Sequence, residues 1–351
     1  MSRFVAVDAP DLRYKHTQMT EDFFRFFRGT FYRWAQCWAG ACPAAADAPR
    51  VLAVGDLHVE NFGTWRDADG RLVWGVNDFD EVYLLPYTND LIRLAVSGMI
   101  AVRSTDLRSK TRELCDLILA GYQLALSEGG RPFVLEEEHP TLRALALNRL
   151  REPAAFWQKF DRKVGSRPST QDPIPVRLIK ENWPSGAGVT VPLLHRRRGV
   201  GMGSLGKPRF VAVGHHAGGW LAREVKALTP SACAWAGGGS DSEIHYAQIL
   251  SSAVRCPDPF AKPHDGWLVR RLAPDCSRIE LATLELVDDE AHLLKAMGWE
   301  TANIHLNAKG NAQRILSDLK KRPVDWLRDA AKTMYEVCRS DWKAWKRDAE
   351  R

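Results

Sequence analysis

Two acidic loops set on either side of one hairpin constrain this chain more than any other feature. The first is Val54-Gly55-Asp56-Leu57-His58-Val59-Glu60-Asn61-Phe62, and the second is Val76-Asn77-Asp78-Phe79-Asp80-Glu81. Each reads as the end of a buried strand opening into a polar loop, where folds of mixed helix and strand place their chemistry. Between them, Phe62-Gly63-Thr64-Trp65, Asp67-Ala68-Asp69-Gly70 and Arg71-Leu72-Val73-Trp74 spell strand, turn, strand. Such a hairpin gathers Asp56, Asn61, Asp78 and Asp80 at one end of a small sheet. Gathered carboxylates need a compensating positive charge, and a divalent metal is the usual one.

The rest of the first half supplies a helical setting. Residues 17–40 are expected as one helix, capped by Thr20, with Phe23, Phe27, Phe31, Trp34 and Trp38 as a core stripe. Arg28 and Gly29 flank that stripe and are within reach of a site. Arg50–Val54 is expected as the strand feeding the first acidic loop. A helix is expected from Thr88 or Asn89 towards Arg103, with Asp90 at its start placed to hydrogen-bond that loop. A second runs over 108–128 and ends at Gly129-Gly130. Residues 136–166 read as charged helix, and the Pro-, Ser- and Gly-rich stretch 165–188 as a linker.

The second half carries Gly199-Val200-Gly201-Met202-Gly203-Ser204-Leu205-Gly206. A dinucleotide fold would need a helix next. The chain instead continues as Arg209–Val213, a turn at His215–Gly219, and Trp220–Lys226, which is strand, turn, strand. A glycine-rich loop between strands, with a lysine closing a later strand, is how kinases cover and grip ATP phosphates. Glu243, expected early in a helix opening at Ser240-Asp241, is the first candidate to pair with Lys226; Glu224 and Glu280 are rivals. The run His195-Arg196-Arg197-Arg198 reads as solvated surface, with phosphate contact as the alternative. Further helices are expected over 288–308 and 310–348.

Bulk properties exclude several classes. The net charge of +6, from 49 basic against 43 acidic residues, does not point to nucleic acid. The seven cysteines form no Cys-x-x-Cys pair, as expected of reduced thiols. No apolar run reaches membrane-spanning length, and the N-terminus lacks a signal-peptide pattern, so a cytoplasmic protein is expected.

The first region and Phe26-Phe27-Arg28-Gly29, with Asp90-Leu91-Ile92-Arg93-Leu94 and the later glycine and Val-Lys segments, resemble the DUF2252 family of bacterial proteins over roughly residues 20–305. That family is similar to the aminoglycoside and choline kinase branch of the protein-kinase-like fold, whose catalytic loop reads H-G-D-x-x-x-x-N, followed by an Asp-containing metal motif. Here Val54 stands in place of the leading histidine, leaving His58 as a candidate anchor. The order also differs, because the acidic loops precede the glycine loop. The resemblance therefore implies an α+β, two-lobed, circularly permuted kinase-like fold. Residues 1–165 would begin the helical large lobe, 166–190 would link, 191–275 would form a small antiparallel nucleotide lobe, and 276–351 would return to the large lobe.

The implied activity is ATP- and Mg2+-dependent phosphoryl transfer to an unidentified hydroxyl acceptor, small molecule or protein. Asp56 would orient or deprotonate the hydroxyl; Asn61 and Asp78 would hold Mg2+, with Asp80 as second ligand or support. Gly201, Gly203, Ser204, Gly206 and Lys226 would bind the nucleotide, with Glu243 holding Lys226. Three alternatives stand beside this: adenylyl transfer on the same fold, a metallophosphoesterase built on Asp56-Leu57-His58, and a nucleotide-binding regulator without catalysis.

Overall fold

The computed structural model describes residues 4–104, 111–161, 172–185, 191–197, 199, 201–238, 242–279, 281, 284 and 287–349. It is an α+β fold whose sheets are all antiparallel. The chain opens with α1 (Ala9–Glu21), α2 (Phe23–Gly29), α3 (Phe31–Ala41) and a short α4 (Pro43–Ala46). The single helix expected over 17–40 is thus broken twice. Asp22 turns out of the helix and accepts the Arg25 N–H with its side chain, capping α2, while Asp8 caps α1 in the same way. Thr20 is not a cap; its hydroxyl donates back to the His16 carbonyl within α1. The aromatic stripe survives these breaks, and Phe27, Phe31, Trp34 and Trp38 are all buried.

Strand β1 (Arg50–Ala53) leads into the first acidic loop. The hairpin β2 (Phe62–Arg66) and β3 (Leu72–Val76) then separates the two loops, pairing Phe62 with Val76 at its open end. After the second loop, β4 (Tyr83–Pro86) returns antiparallel to β1, so both loops leave from one small strand pair and one hairpin. Next come α5 (Thr88–Ser104), α6 (Thr111–Glu128), β5 (Phe133–Val134) against β3, α7 (Pro140–Arg149) and α8 (Pro153–Asp161). Within the segment read as linker, Pro173–Asn182 forms α9, capped by Asp172, with Leu178 and Ile179 buried. An i, i+4 apolar face outweighs the proline content there, since the prolines fall in the first turn where they are tolerated.

A five-stranded sheet comes next, built from β6 (Leu194–Arg196), β7 (Arg209–His216), β8 (Gly219–Ala227), β9 (Lys262–His264) and β10 (Trp267–Leu272) in the order β6-β7-β8-β10-β9. One face, with Phe210, Ala212, Val225 and Val269, packs on α9. The other, with Val211, Val213, Ala222 and Leu272, packs on Phe156 and Phe160 of α8. Between β8 and β9 lie two short helices, α10 (Ala232–Ala236) and α11 (Tyr246–Ser252). The helix expected to open at Ser240 starts at Tyr246, and Ser240 and Asp241 lie outside the described residues.

Helices α12 (Val287–His305), α13 (Asn311–Leu319) and α14 (Trp326–Ala349) complete the main core together with α2, α3, α5 and α6. Helices α6 and α12 cross at backbone contact. A Cβ on Gly121 would lie 1.9 Å from the Lys295 carbonyl oxygen, and one on Gly298 would lie 2.0 Å from that of Ile118. Two glycines therefore let the backbones touch, each in the other's notch. Among the described residues, no helix is long and apolar enough to cross a membrane.

Candidate functional site

The first acidic loop is held from below by Asp90, at the start of α5. Its fully buried carboxylate accepts the Val54 N–H at 2.7 Å and the Gly55 N–H at 3.0 Å, and lies 3.1 Å from His305 Nε2 on α12. The role expected of Asp90 is thus the one it has, and His305, which sequence reasoning missed, backs it. Gly55 meets the second loop directly. It adopts φ +81°, and a Cβ there would lie 2.3 Å from the Glu81 carbonyl oxygen, so only glycine fits.

Asp56 projects from this junction. Arg93 Nε and Nη2 both donate to its Oδ1, at 2.7 and 2.5 Å. Arg93 is itself fully buried, its guanidinium 4.1 Å from the Phe27 ring centre and 4.9 Å from those of Phe31 and Trp34. Burial pushes the Asp56 pKa up, opposed first by Arg93 and then by Arg28. A cation inside Leu91-Ile92-Arg93-Leu94-Ala95 was a legible signal for this pairing, because an arginine is rarely buried without a partner. The other Asp56 oxygen, Oδ2, faces Gly203, where a Cβ would sit 3.5 Å away.

Asn61 closes the loop by accepting the His58 N–H at 2.7 Å. His58 Nε2 accepts from Arg28 Nε at 3.1 Å, and Arg28 also pairs with Glu60. Burial, with Arg28 and Arg93 nearby, pushes the His58 pKa well below its usual value, so the ring is neutral, as an acceptor must be. His58 therefore anchors Arg28 and, through its backbone, Asn61.

In the second loop, Asp78 and Asp80 meet Lys226, which reaches down from β8. Lys226 Nζ lies 3.1 Å from Asp78 Oδ1 and 2.6 Å from Asp80 Oδ1. Lys226 is 2% exposed, and the Asp78 side chain opens 38% to the cleft. Burial would push the Asp78 pKa up, but Lys226, then Arg270 and Arg209, hold it well below the usual carboxylate range.

The sheet does not bring Glu243 to Lys226. The Glu243 side chain is 68% exposed and sits 3.5 Å from His245 Nδ1, before α11 rather than within it. Glu224 is buried beneath Arg197, Arg209 and Arg270, with Arg270 Nε at 2.6 Å, and these cations hold its pKa well below the usual value against the opposing pull of burial. Glu280 lies outside the described residues. Lys226 thus takes its carboxylates from the second acidic loop, a choice set by the tertiary fold and not by chain order. Within the basic run, His195 is buried, Arg196 pairs with Asp8 at 2.8 Å and Arg197 with Glu224, so these three are not solvated surface, while Arg198 lies outside the described residues.

The glycine turn joins β6 to β7 as a 3-10 turn over Met202–Ser204. Gly201 and Gly206 have φ of +76° and +95°. Ser204 is tied down, its hydroxyl donating to the Gly201 carbonyl and accepting from Arg209. The Gly206 carbonyl accepts the Asp8 N–H at 2.9 Å, which lays α1 along the turn.

Asp56, His58, Asn61, Asp78, Asp80, Gly201, Gly203 and Ser204 line one cleft of 830 Å3, while Lys226, Gly206 and Glu243 are not among its lining residues. The cleft also takes in Glu81, which closes the second acidic loop, together with Lys15 from α1 and Lys207 after the glycine turn, two residues that the sequence did not single out. Glu81 Oε2 accepts the Ala232 N–H at 2.7 Å, and burial pushes its pKa up to about 7.

Among the described residues, no group of three or more His, Cys, Asp or Glu side chains is arranged as a metal site. The oxygen donors that could serve one are Asp78, Asp80 and the Asn61 amide. Asp80 Oδ1 is buried with no hydrogen-bond partner beyond its ionic contact with Lys226. That spare acceptor capacity fits a hard cation.

Residues 8–164 match the family described as an uncharacterized protein conserved in bacteria, DUF2252. The match contains Asp56, Asn61, Asp78 and Asp80 and stops short of the glycine turn and Lys226, a narrower span than the resemblance over 20–305. No curated protein and no solved structure matches the chain.

Proposed function

We propose that the chain is an ATP- and Mg2+-dependent phosphotransferase of kinase-like, two-lobed architecture in circularly permuted order. One observation carries this reading. Lys226, on the third strand of an antiparallel sheet whose first two strands flank the glycine turn, crosses the cleft to Asp78 and Asp80. Kinases place their phosphate-binding lysine on the third strand of such a sheet, beneath a glycine-rich loop. The acidic loops come earlier in the chain, and α12–α14 return to pack beside them, as permutation requires.

Bound Mg2+·ATP supplies the transferable phosphoryl group and the charge that neutralises it. Asn61, Asp78 and Asp80 are the residues that would hold the metal, and Lys226 the phosphates. The glycine turn, through Gly201, Gly203 and Ser204, lines the cleft where the phosphates would lie. Asp56 is fixed through Oδ1 by Arg93, which leaves Oδ2 to accept the proton of the acceptor hydroxyl. Its upward-shifted pKa suits that task. A metallophosphoesterase fits less well, since His58 Nε2 is already committed to Arg28.

The test is a thermal melt of wild type and Asp78→Ala with and without ATP and Mg2+. Ligand at a hundredfold over Kd stabilises by about 2.7 kcal/mol, which for a chain of this size is a rise of roughly 4 °C. The rise is expected in wild type, to require Mg2+, and to be absent in Asp78→Ala. No rise with any nucleotide would overturn the reading. The mass added to an acceptor separates phosphoryl from adenylyl transfer.

A further inference from the structure

Two lysines with largely buried side chains open into the cleft without a direct ion pair. Lys15 is 7% exposed and Lys207 is 6% exposed, and both line the cavity. Among the described residues, neither side chain makes an ion pair or hydrogen bond. Every other buried cation at this site is paired: Arg93 with Asp56, Lys226 with Asp78 and Asp80, Arg270 with Glu224. The two lysines also repel each other. Burial and then Lys207 lower the Lys15 pKa to about 8. The carboxylates whose charge reaches Lys15 are Asp56 and Glu81, and Lys207 is the cation that most opposes the rise of the Glu81 pKa. Asp56 is engaged by Arg93, and Glu81 by Ser231 and the Ala232 N–H.

Two cations that lack a direct ion pair and repel one another are unfavourable without an anion between them. A fold that keeps both aimed into a cavity has the electrostatics of an anion site. Position assigns the anion. Lys226 serves the Asp78–Asp80 side of the cleft, where a nucleotide's phosphates would lie. Lys15 instead lies beside Gly29, its Cε 3.3 Å from where a Cβ there would sit, next to Arg28, whose carbonyl oxygen and Asp56 Oδ2 each lie 3.5 Å from a Cβ placed on Gly203.

We propose that Lys15 and Lys207 form an anion subsite for a phosphate group carried by the acceptor, which makes the acceptor a phosphorylated small molecule with a free hydroxyl. The subsite stands on its own geometry, while its assignment to the acceptor rests on the phosphotransferase reading above. The anion binds by charge and hydrogen bonds only and takes no part in bond making. Its role is to fix the distance between its own hydroxyl and Asp56.

Inorganic phosphate is the probe, titrated calorimetrically into the full chain with and without Mg2+ and a non-hydrolysable ATP analogue. Saturable binding is expected that persists beside the analogue. Measured beside the saturating analogue, it is expected to weaken about tenfold or more in Lys15→Met and Lys207→Met. Lys15→Gln, with melts on each variant, guards against a packing artefact. Phosphate that the analogue displaces and that Lys226→Met loses, with Lys15→Met neutral, would overturn the proposal and place the anion on the nucleotide side. Absence of saturable phosphate binding would overturn it too, while analogue binding left the phosphotransferase reading intact. Lys15-dependent phosphate binding in a chain that binds no nucleotide would keep the subsite and overturn its acceptor role.

Discussion

Replacing Lys226 by Met tests whether this ammonium is the cation that lets Asp78 and Asp80 coexist. The substitution keeps the side-chain length and apolar stem but removes the charge from between two carboxylates that it touches at 3.1 and 2.6 Å. Breaking a buried ion pair costs about 3–5 kcal/mol. The Asp78 carboxylate, however, is 38% exposed, so solvent screens its share; about 2–4 kcal/mol is then expected at neutral pH. Unfolding entropy of roughly 2.1 cal/mol/K per residue converts this to a Tm lower by roughly 3–6 °C. The pH dependence is the sharper readout. Lys226 depresses the folded-state pKa of Asp78, so its stabilisation is fully present above the unfolded carboxylate pKa of about 4 and is lost as pH falls through the lower folded value. Without Lys226 the two carboxylates repel, and one takes up a proton as the solution is acidified. The Tm gap between wild type and variant should therefore be widest near pH 7 and narrow towards pH 4. Calorimetric melts across that range check it. A gap that is the same at every pH would mean that Lys226 acts by packing alone, and the electrostatic account of the site would fail.

Asp90→Asn should cost about 2–4 kcal/mol, because an amide nitrogen must then oppose one of the N–H groups that the carboxylate now accepts; urea unfolding measures it, and a change within error would show that the loop is held by other means. Glu300, buried on α12 and accepting the Val76 N–H, has its pKa pushed up to about 7 by burial. That penalty is absent below the unfolded pKa of about 4.3, grows with pH and is complete above about 7, where it is on the order of 3 kcal/mol. Glu300→Gln should thus gain stability over wild type at pH 8 and little at pH 4, and an equal difference at both would refute the cause given. Gly55→Ala and Gly70→Ala form a matched pair, since both glycines have φ near +80° but a Cβ at Gly70 meets nothing within 4 Å. Denaturant unfolding should show about 1–2 kcal/mol for Gly70→Ala and more than that for Gly55→Ala; similar costs would remove the inter-loop contact as a constraint.

How much the sequence disclosed depended on how local each cause was. The hairpin between the acidic loops was legible because strand pairing and an Asp-Gly turn are written into neighbouring residues, Phe62 to Trp74. Asp90 was legible as a first-turn carboxylate next to a loop rich in N–H groups. The break at Asp22 was hidden because the aromatic period runs on through it, and capping competes with helix continuation at a single residue. The partner of Lys226 could not be read at all, since Glu243 is closer in chain and the carboxylates it meets lie about 150 residues earlier. Lys15 and Lys207 carried no signal for a related reason. They lie about 190 residues apart in the chain and meet only because the fold brings α1 to the glycine turn, where the Asp8 N–H donates to the Gly206 carbonyl.

The paired notches of Gly121 and Gly298 bear on where this chain can be divided. They weld a helix inside the family-matched span of residues 8–164 to one that begins more than a hundred residues after it ends. The seam tolerates no side chain, and His305, at the end of the same helix, backs the aspartate beneath Asp56. A fragment cut at residue 164 would keep every acidic loop residue yet lose the helix that seats them. The stretch most easily recognised by similarity is therefore not a unit of folding, and expression trials should treat the C-terminal helices as part of the same body.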